Sequence, residues 1–122
     1  MIELFAALAQ DPPPPIIEYH QPNTGVIEAV WNCRGREVRY RIETEWDRAR
    51  LQFYSGAAGE ASPEDLERIN DALEPMWLIG GHRFQCNPVS DELLITGPRK
   101  GGGEAVSITA RWYDGALHLR VR

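Results

Sequence analysis

The sequence predicts an α+β domain, a mainly antiparallel β-sheet of six to seven strands in the order β-β-β-α-β-β-β-β with one covering helix. Three observations predict it. Alternation of apolar and polar side chains with a period of two dominates the chain. Two pairs of alternating runs are joined by two-residue turns ending in glycine. One segment alone carries a helical apolar stripe. A small β-barrel or sandwich with one helix plugging an end is the alternative arrangement of the same elements.

The cleanest alternation runs from Arg36 to Trp46, where Val38, Tyr40, Ile42, Thr44 and Trp46 alternate with Glu37, Arg39, Arg41, Glu43 and Glu45. The preceding run, Val26 to Cys33, joins it through Arg34-Gly35, a connection in which glycine tolerates the positive φ of a tight hairpin turn. Placing Cys33 opposite Arg36 sets Trp31 against Val38, Ala29 against Tyr40 and Ile27 against Ile42 on one side. The other side then pairs Glu28 with Arg41 and Asn32 with Glu37. A slip of one residue would destroy both the apolar side and the charge pairing, so this register is strongly specified.

A second hairpin closes the chain. Val106, Ile108, Ala110 and Trp112 alternate with polar residues up to Asp114-Gly115, and Leu117, Leu119 and Val121 return. With Tyr113 opposite Ala116, Trp112 meets Leu117, Ala110 meets Leu119 and Ile108 meets Val121, while Arg111 and His118 share the outer side. Further strands are predicted at Arg50–Tyr54 with Leu51 and Phe53 inward, at Gly81–Cys86 with Phe84 and Cys86 on one side, and at Glu92–Thr96 with Leu93 and Ile95 inward. A first strand at Ile16–His20 completes the set. The helix begins at Ser62 as cap, with Pro63 at the first helical position and Glu64 and Asp65 at the positive end of the helix dipole. Leu66, Ile69 and Leu73 form its apolar stripe, Glu67, Arg68 and Asp71 face outward, and Pro75 ends it.

The chain divides into a signal-like apolar segment with a proline spacer at 1–15 and a single α+β domain at 16–122. The apolar run from Ile2 ends in Ala7-Leu8-Ala9, which places small side chains where a signal peptidase requires them, and Pro12–Pro15 form an extended spacer. No Lys or Arg precedes the run and Glu3 has the wrong sign, so a local helix stopped by the prolines is the competing reading. The sequence thus predicts an exported protein, periplasmic or secreted, over a cytoplasmic one. An apolar content of 43% and a charged content of 25% fit an ordinary globular domain, and no run approaches the ~20 apolar residues of a membrane-spanning helix. A net charge of −5 without a basic block lacks the footprint of a nucleic-acid binder.

Cys33 and Cys86 both fall on the apolar side of their strands. In an oxidising compartment they are expected to form a disulfide, closing a loop of about 54 residues and contributing on the order of 4 kcal/mol in the chain-entropy model. In the cytosol they would remain two buried thiols. The cysteines lack the paired spacing of a zinc site, and His20, His82 and His118 share no metal-ligand spacing, with His82 read as a turn residue and His118 as outer-face. Ser55, Ser62, Ser90 and Ser107 do not sit in a glycine-flanked nucleophile elbow. No catalytic, cofactor-binding or metal-binding residue is assigned, and no cofactor is expected.

Two weaker candidates remain. Gly97-Pro98-Arg99-Lys100-Gly101-Gly102-Gly103 could hold an anion through Arg99, Lys100 and the amides of Gly101 and Gly102, although the segment leads into a strand, unlike a phosphate-binding loop, and reads equally as a hairpin connection. Trp46 at a strand end and Trp77 beyond Pro75 suit contact with a partner or a glycan, as do Arg39 and Arg41. With Glu28 and Glu43, those two arginines also read as a solvated charge ladder. The function predicted is a small non-catalytic exported domain that binds a protein or envelope ligand. The alternatives are a cytosolic interaction or inhibitor protein, and a small enzyme or anion-binding protein using the 97–103 loop.

Overall fold

The computed structural model describes residues 17–21, 25–45, 48–56, 59–77, 79–87 and 90–122. The apolar segment and spacer at 1–15, and Trp46, lie outside the described residues. The elements in chain order are β1 (Ile17–Gln21), β2 (Val26–Cys33), β3 (Arg36–Glu45), β4 (Arg48–Gly56), β5 (Gly59–Glu60), α1 (Pro63–Leu73), β6 (Gly81–Cys86), β7 (Asp91–Gly97), β8 (Val106–Tyr113) and β9 (Ala116–Val121). The strands form two antiparallel meanders, one ordered β1-β2-β3-β4-β5 and the other β6-β7-β8-β9.

The fold is α+β with one helix, as expected, but the strand count of six to seven is low. The described residues contain nine strands in two sheets. β5 is a two-residue edge strand, too short to leave an alternation that could be read. α1 packs along β4 and the β8–β9 hairpin and covers only part of the apolar face. The rest is covered by the opposite sheet, since Ile27, Val38, Tyr40 and Leu51 of the first share one core cluster with Phe84, Leu93, Ile108 and Trp112 of the second.

Both expected hairpin registers are observed residue for residue. Trp31 lies opposite Val38 and Glu28 opposite Arg41 in one, and Trp112 lies opposite Leu117 and Arg111 opposite His118 in the other. In both turns a residue with positive φ precedes the glycine, Arg34 at 55° before Gly35 at 83° and Asp114 at 52° before Gly115 at 71°. That pair of left-handed residues matches the twist of the flanking strands. Asn32 Oδ1 accepts from Gly35 N at 2.9 Å and braces the first turn.

The β4 prediction fails at one residue. The ladder between β3 and β4 shifts between Arg41 and Ile42, so that Ile42 faces Leu51 while Arg41 faces Phe53. Gln52 is the extra residue of a β-bulge. Consequently Phe53, expected inward, is 42% exposed, and Tyr54 turns into the core at 2%. Alternation cannot reveal an inserted residue, because an apolar side chain stands at both 53 and 54.

The helix fulfils its expected start. Ser62 Oγ accepts from Asp65 N at 3.1 Å, Pro63 opens the first turn, and Ile69 and Leu73 are fully buried. Burying each such side chain contributes about 1.5–3 kcal/mol. Two polar side chains then fasten the helix to the sheets. Asn70 accepts from Leu51 N at 2.7 Å through Oδ1 and donates to Leu51 O at 3.1 Å through Nδ2, acting as a one-residue strand partner beside the bulge. Arg68 faces outward as expected and also donates to Leu117 O of β9 at 3.2 Å.

Cys33 at the end of β2 and Cys86 at the end of β6 form a disulfide, with Cα atoms 5.7 Å apart and 53 positions of separation. It ties the first sheet to the second, linking a strand before the helix in the chain to one after it. Two stability outcomes follow. Asn70→Ala leaves the buried Leu51 amide and carbonyl without that partner, and urea denaturation should show a loss of about 2 kcal/mol. Replacing Cys33 and Cys86 together by Ser should lower stability by about 2–4 kcal/mol by the same measurement.

Candidate functional site

The core between the sheets carries a polar and aromatic seam that fixes how they sit. Tyr54 of β4 stacks on Trp112 of β8 with ring centroids 4.1 Å apart and planes at 11°. Its hydroxyl donates to Asp91 Oδ2 of β7 at 3.1 Å, and Asp91 is 2% exposed. Gly56 lies against the same carboxylate, where a Cβ would collide with Asp91 Oδ2. Burial first, then the charge of Asp91 and the hydrogen bond to it, and then Tyr40, push the Tyr54 phenol well above its usual range. Trp112 Nε1 lies 3.4 Å from Asp65 Oδ2, so the acid at the start of α1 also reaches the seam. Farther along, Trp31 Nε1 donates to Tyr40 Oη at 3.2 Å, and Tyr40 Oη lies 2.7 Å from His82 Nδ1. His82, expected in a turn or in solvent, instead points inward at half burial, its ring edge-on to Tyr40.

Strands that bury one face must present the other to water. The outer face of the β6–β9 sheet follows from the ladder registers. One row reads Gln85, Glu92, Arg111 and His118, and the next reads Arg83, Leu94, Thr109 and Arg120. Arg83, Arg111, His118 and Arg120 are exposed, and Glu92 and Thr109 half-buried. Arg111 contacts Glu92 Oε2 through Nη2 at 3.0 Å and Nε at 3.2 Å. Tyr113 and His118 stack with centroids 3.8 Å apart, and the Arg111 guanidinium carbon lies 6.0 Å from the Tyr113 ring centre. Between these groups lies a shallow depression of about 250 Å³, lined by Glu92, Thr109, Arg111, Tyr113, His118, Leu119 and Arg120. Three arginines and a histidine against one carboxylate make this face basic in a chain whose net charge is −5.

The outer face of the other sheet carries ion pairs. Arg41 pairs with Glu28 and, through Nη2 at 2.7 Å, with Glu43, and Arg39 contacts Glu37 at 3.1 Å. The hydrogen bond to Glu43 is the largest influence holding the Arg41 guanidinium above its usual value, with the charges of Glu43 and Glu28 adding to it against some desolvation. The charge ladder read from the sequence is therefore present as a network of ion pairs. A groove of about 550 Å³ between β4 and α1 likewise sets Arg48 and Arg50 against Glu67, Asp71 and Glu74.

The glycine-rich segment folds against the end of the helix. Lys100 N donates to Pro75 O at 2.8 Å, Trp77 N donates to Pro98 O at 2.9 Å, and Met76 pairs with Arg99 in an isolated bridge. The Arg99 side chain donates to Glu104 O at 3.1 Å and Lys100 Nζ lies 3.3 Å from Glu74 Oε1. Both cations are thus directed at oxygens of this chain, with Gly101 and Gly102 exposed beside them. Trp77 is 52% exposed at the same end. It lies in the crossover after α1, while Arg39 and Arg41 belong to β3 of the other sheet, so these candidates occupy different elements.

Sequence reasoning placed Arg111 opposite His118 on an outer face but did not single out Tyr113, Glu92, Arg83 or Arg120. The alternation of β8 and β9 held that signal for Tyr113 and Arg120. Adding Glu92 and Arg83 required the β6–β7–β8 ladder, which no tight turn announces. Among the described residues no group of three His, Cys, Asp or Glu is placed to hold a metal, and no helix is long and apolar enough to cross a membrane. Comparison with protein-family models, curated proteins and solved structures finds no match to this chain.

The seam has a pH signature. A phenol whose folded pKa lies above its unfolded value contributes stability in full below the unfolded pKa, about 10, and loses it as pH rises beyond that toward the folded value. Urea midpoints should therefore fall as pH is raised from about 9 to 11, and Tyr54→Phe should flatten this fall relative to the parent protein.

Proposed function

We propose that this chain is a small non-catalytic exported domain that binds an envelope ligand on the outer face of the β6–β9 sheet. The observation that carries the reading is that face itself: Arg111, Arg120 and His118 around a depression edged by Tyr113, with Arg83 farther along the row of Arg120, on an otherwise acidic protein. Arginine forks and aromatic rings are the side chains that most often anchor a binding surface, the first through planar, pre-organised hydrogen bonding and the second through large contact area at small cost in conformational freedom. A rigid sheet supports them, and the Tyr54–Asp91 seam behind it limits movement of β7 and β8.

The compartment is argued from two features. A disulfide between Cys33 and Cys86 persists in oxidising surroundings and is rare in the cytosol. The apolar run ending in Ala7-Leu8-Ala9 has the small-residue pattern that export processing uses. Fractionation of the native host tests both parts of the reading. The protein should be recovered outside the cytoplasm with both thiols blocked until reduction, and held on envelope material from which the Arg83→Glu/Arg120→Glu variant is released into the soluble fraction. Recovery in the cytoplasm with both thiols free, or equal retention of the variant, would overturn it.

A further inference from the structure

The ligand of this face can be narrowed by asking which chemistry all of its groups would satisfy together. Arg83 on β6 and Arg120 on β9 stand in the same row of the sheet, connected through Leu94 and Thr109. Three strand spacings separate them, about 14 Å. Arg111 lies on β8 in the adjacent row. One small anion cannot reach all three. A ligand that uses them is extended and carries anionic groups at intervals.

The depression between the arginines adds a second requirement. It presents the Glu92 carboxylate and the Thr109 hydroxyl, with the Tyr113 and His118 rings at its edge. Arg111 already donates twice to Glu92 Oε2, and the other carboxylate oxygen can only accept, so a ligand seated against it brings donors as well as anions. A surface of phosphodiester lipid headgroups also offers anions, but the face has no apolar wedge to insert among acyl chains. Leu94, the apolar side chain within its rows, is only half-buried among polar neighbours. A sugar chain that bears carboxylates meets every requirement. Its carboxylates suit the planar, bidentate guanidinium groups, its hydroxyls donate to Glu92 and Thr109, and the C–H groups of a sugar ring pack on an aromatic face.

From charge complementarity, spacing and the donor requirement, we propose that the outer face of the β6–β9 sheet binds an acidic polysaccharide, a polymer of sugars carrying carboxylate groups. This rests on the reading of the same face as the binding surface, and names its ligand class. Arg83 and Arg120 hold carboxylates on sugar units separated along the chain. Arg111, oriented by Glu92, contacts the segment between them, and Thr109 and Glu92 take its hydroxyls.

The test is calorimetric titration of the oxidised protein with polygalacturonate, with its fully methyl-esterified form, and with phosphatidylglycerol vesicles. Polygalacturonate should bind, the ester should bind at least about tenfold more weakly, and about 0.5 M salt should weaken the acidic polymer's binding. Arg120→Glu should cost about tenfold, and Arg83→Glu/Arg120→Glu more than the single change, since each removes a charge-assisted contact. Both arginines are exposed, so circular dichroism should show the fold unchanged in the single variant even if the double variant is perturbed. Equal affinity for the acid and its ester, indifference to Arg120→Glu, or binding to vesicles in preference to polygalacturonate would overturn the inference. Envelope retention that the arginine variant abolishes, together with no polygalacturonate binding, would overturn the ligand class while leaving the binding face standing.

Discussion

Tyr54 is the side chain on which the relation of the two sheets depends. It belongs to β4 of the first sheet, yet its ring stacks on Trp112 and its hydroxyl donates to Asp91, both in the second. An aromatic stack of this kind contributes about 0.5–1.5 kcal/mol beyond burial of its area, and a hydrogen bond to a buried carboxylate about 1.5–3 kcal/mol. Those terms matter less than their direction. A buried carboxylate tolerates few positions of its donor, so β4 and β7 are held in one lateral register. The bulge at Gln52 is what aims Tyr54 there, and Asn70, bonded to both backbone groups of Leu51 next to the bulge, ties the helix to the same point.

The disulfide and the helix add two further links between the sheets. Cys33–Cys86 joins the sheets at the ends of β2 and β6, and α1 spans from β4 to the β8–β9 hairpin, where Arg68 reaches the Leu117 carbonyl. With the inner faces locked, alternation determines what is displayed outside. Arg111 and His118 face solvent because Ala110, Trp112, Leu117 and Leu119 face the core, and the Tyr113–His118 stack is a diagonal pair across the same hairpin. The face proposed to bind a ligand is thus a consequence of core packing carried through the sheet, and it rests on strands, not on loops.

Much of this was legible in the amino-acid sequence, for identifiable reasons. Arg34-Gly35 and Asp114-Gly115 specify two-residue turns, and a two-residue turn sets the register of every pair on either side of it. Ser62-Pro63 announces the helix start, and the inward parity of Cys33 and Cys86 anticipated their pairing. What was illegible depends on nonlocal geometry. An inserted residue in β4 leaves no mark when Phe53 and Tyr54 are both aromatic, so the outward turn of Phe53 was missed. Division into two sheets could not be read because the connection from β5 through α1 to β6 does not constrain strand partners. For the same reason Arg83 and Glu92 could not be assigned to the face that Arg111, Tyr113 and His118 occupy. His82 was misread because two glycines precede it, which suggested a turn, whereas Phe84 and Cys86 two and four positions on already placed it on the inward side of β6.

The central claim is that Tyr54 and Asp91 hold the sheets together as a directly coupled pair. A double-mutant cycle of Tyr54→Phe and Asp91→Asn, measured by urea denaturation at neutral pH with the disulfide intact, tests it most directly. The account predicts a coupling energy of about 1 kcal/mol or more, with the double variant less destabilised than the sum of the single variants. Additive effects, with coupling below about 0.3 kcal/mol, would contradict it.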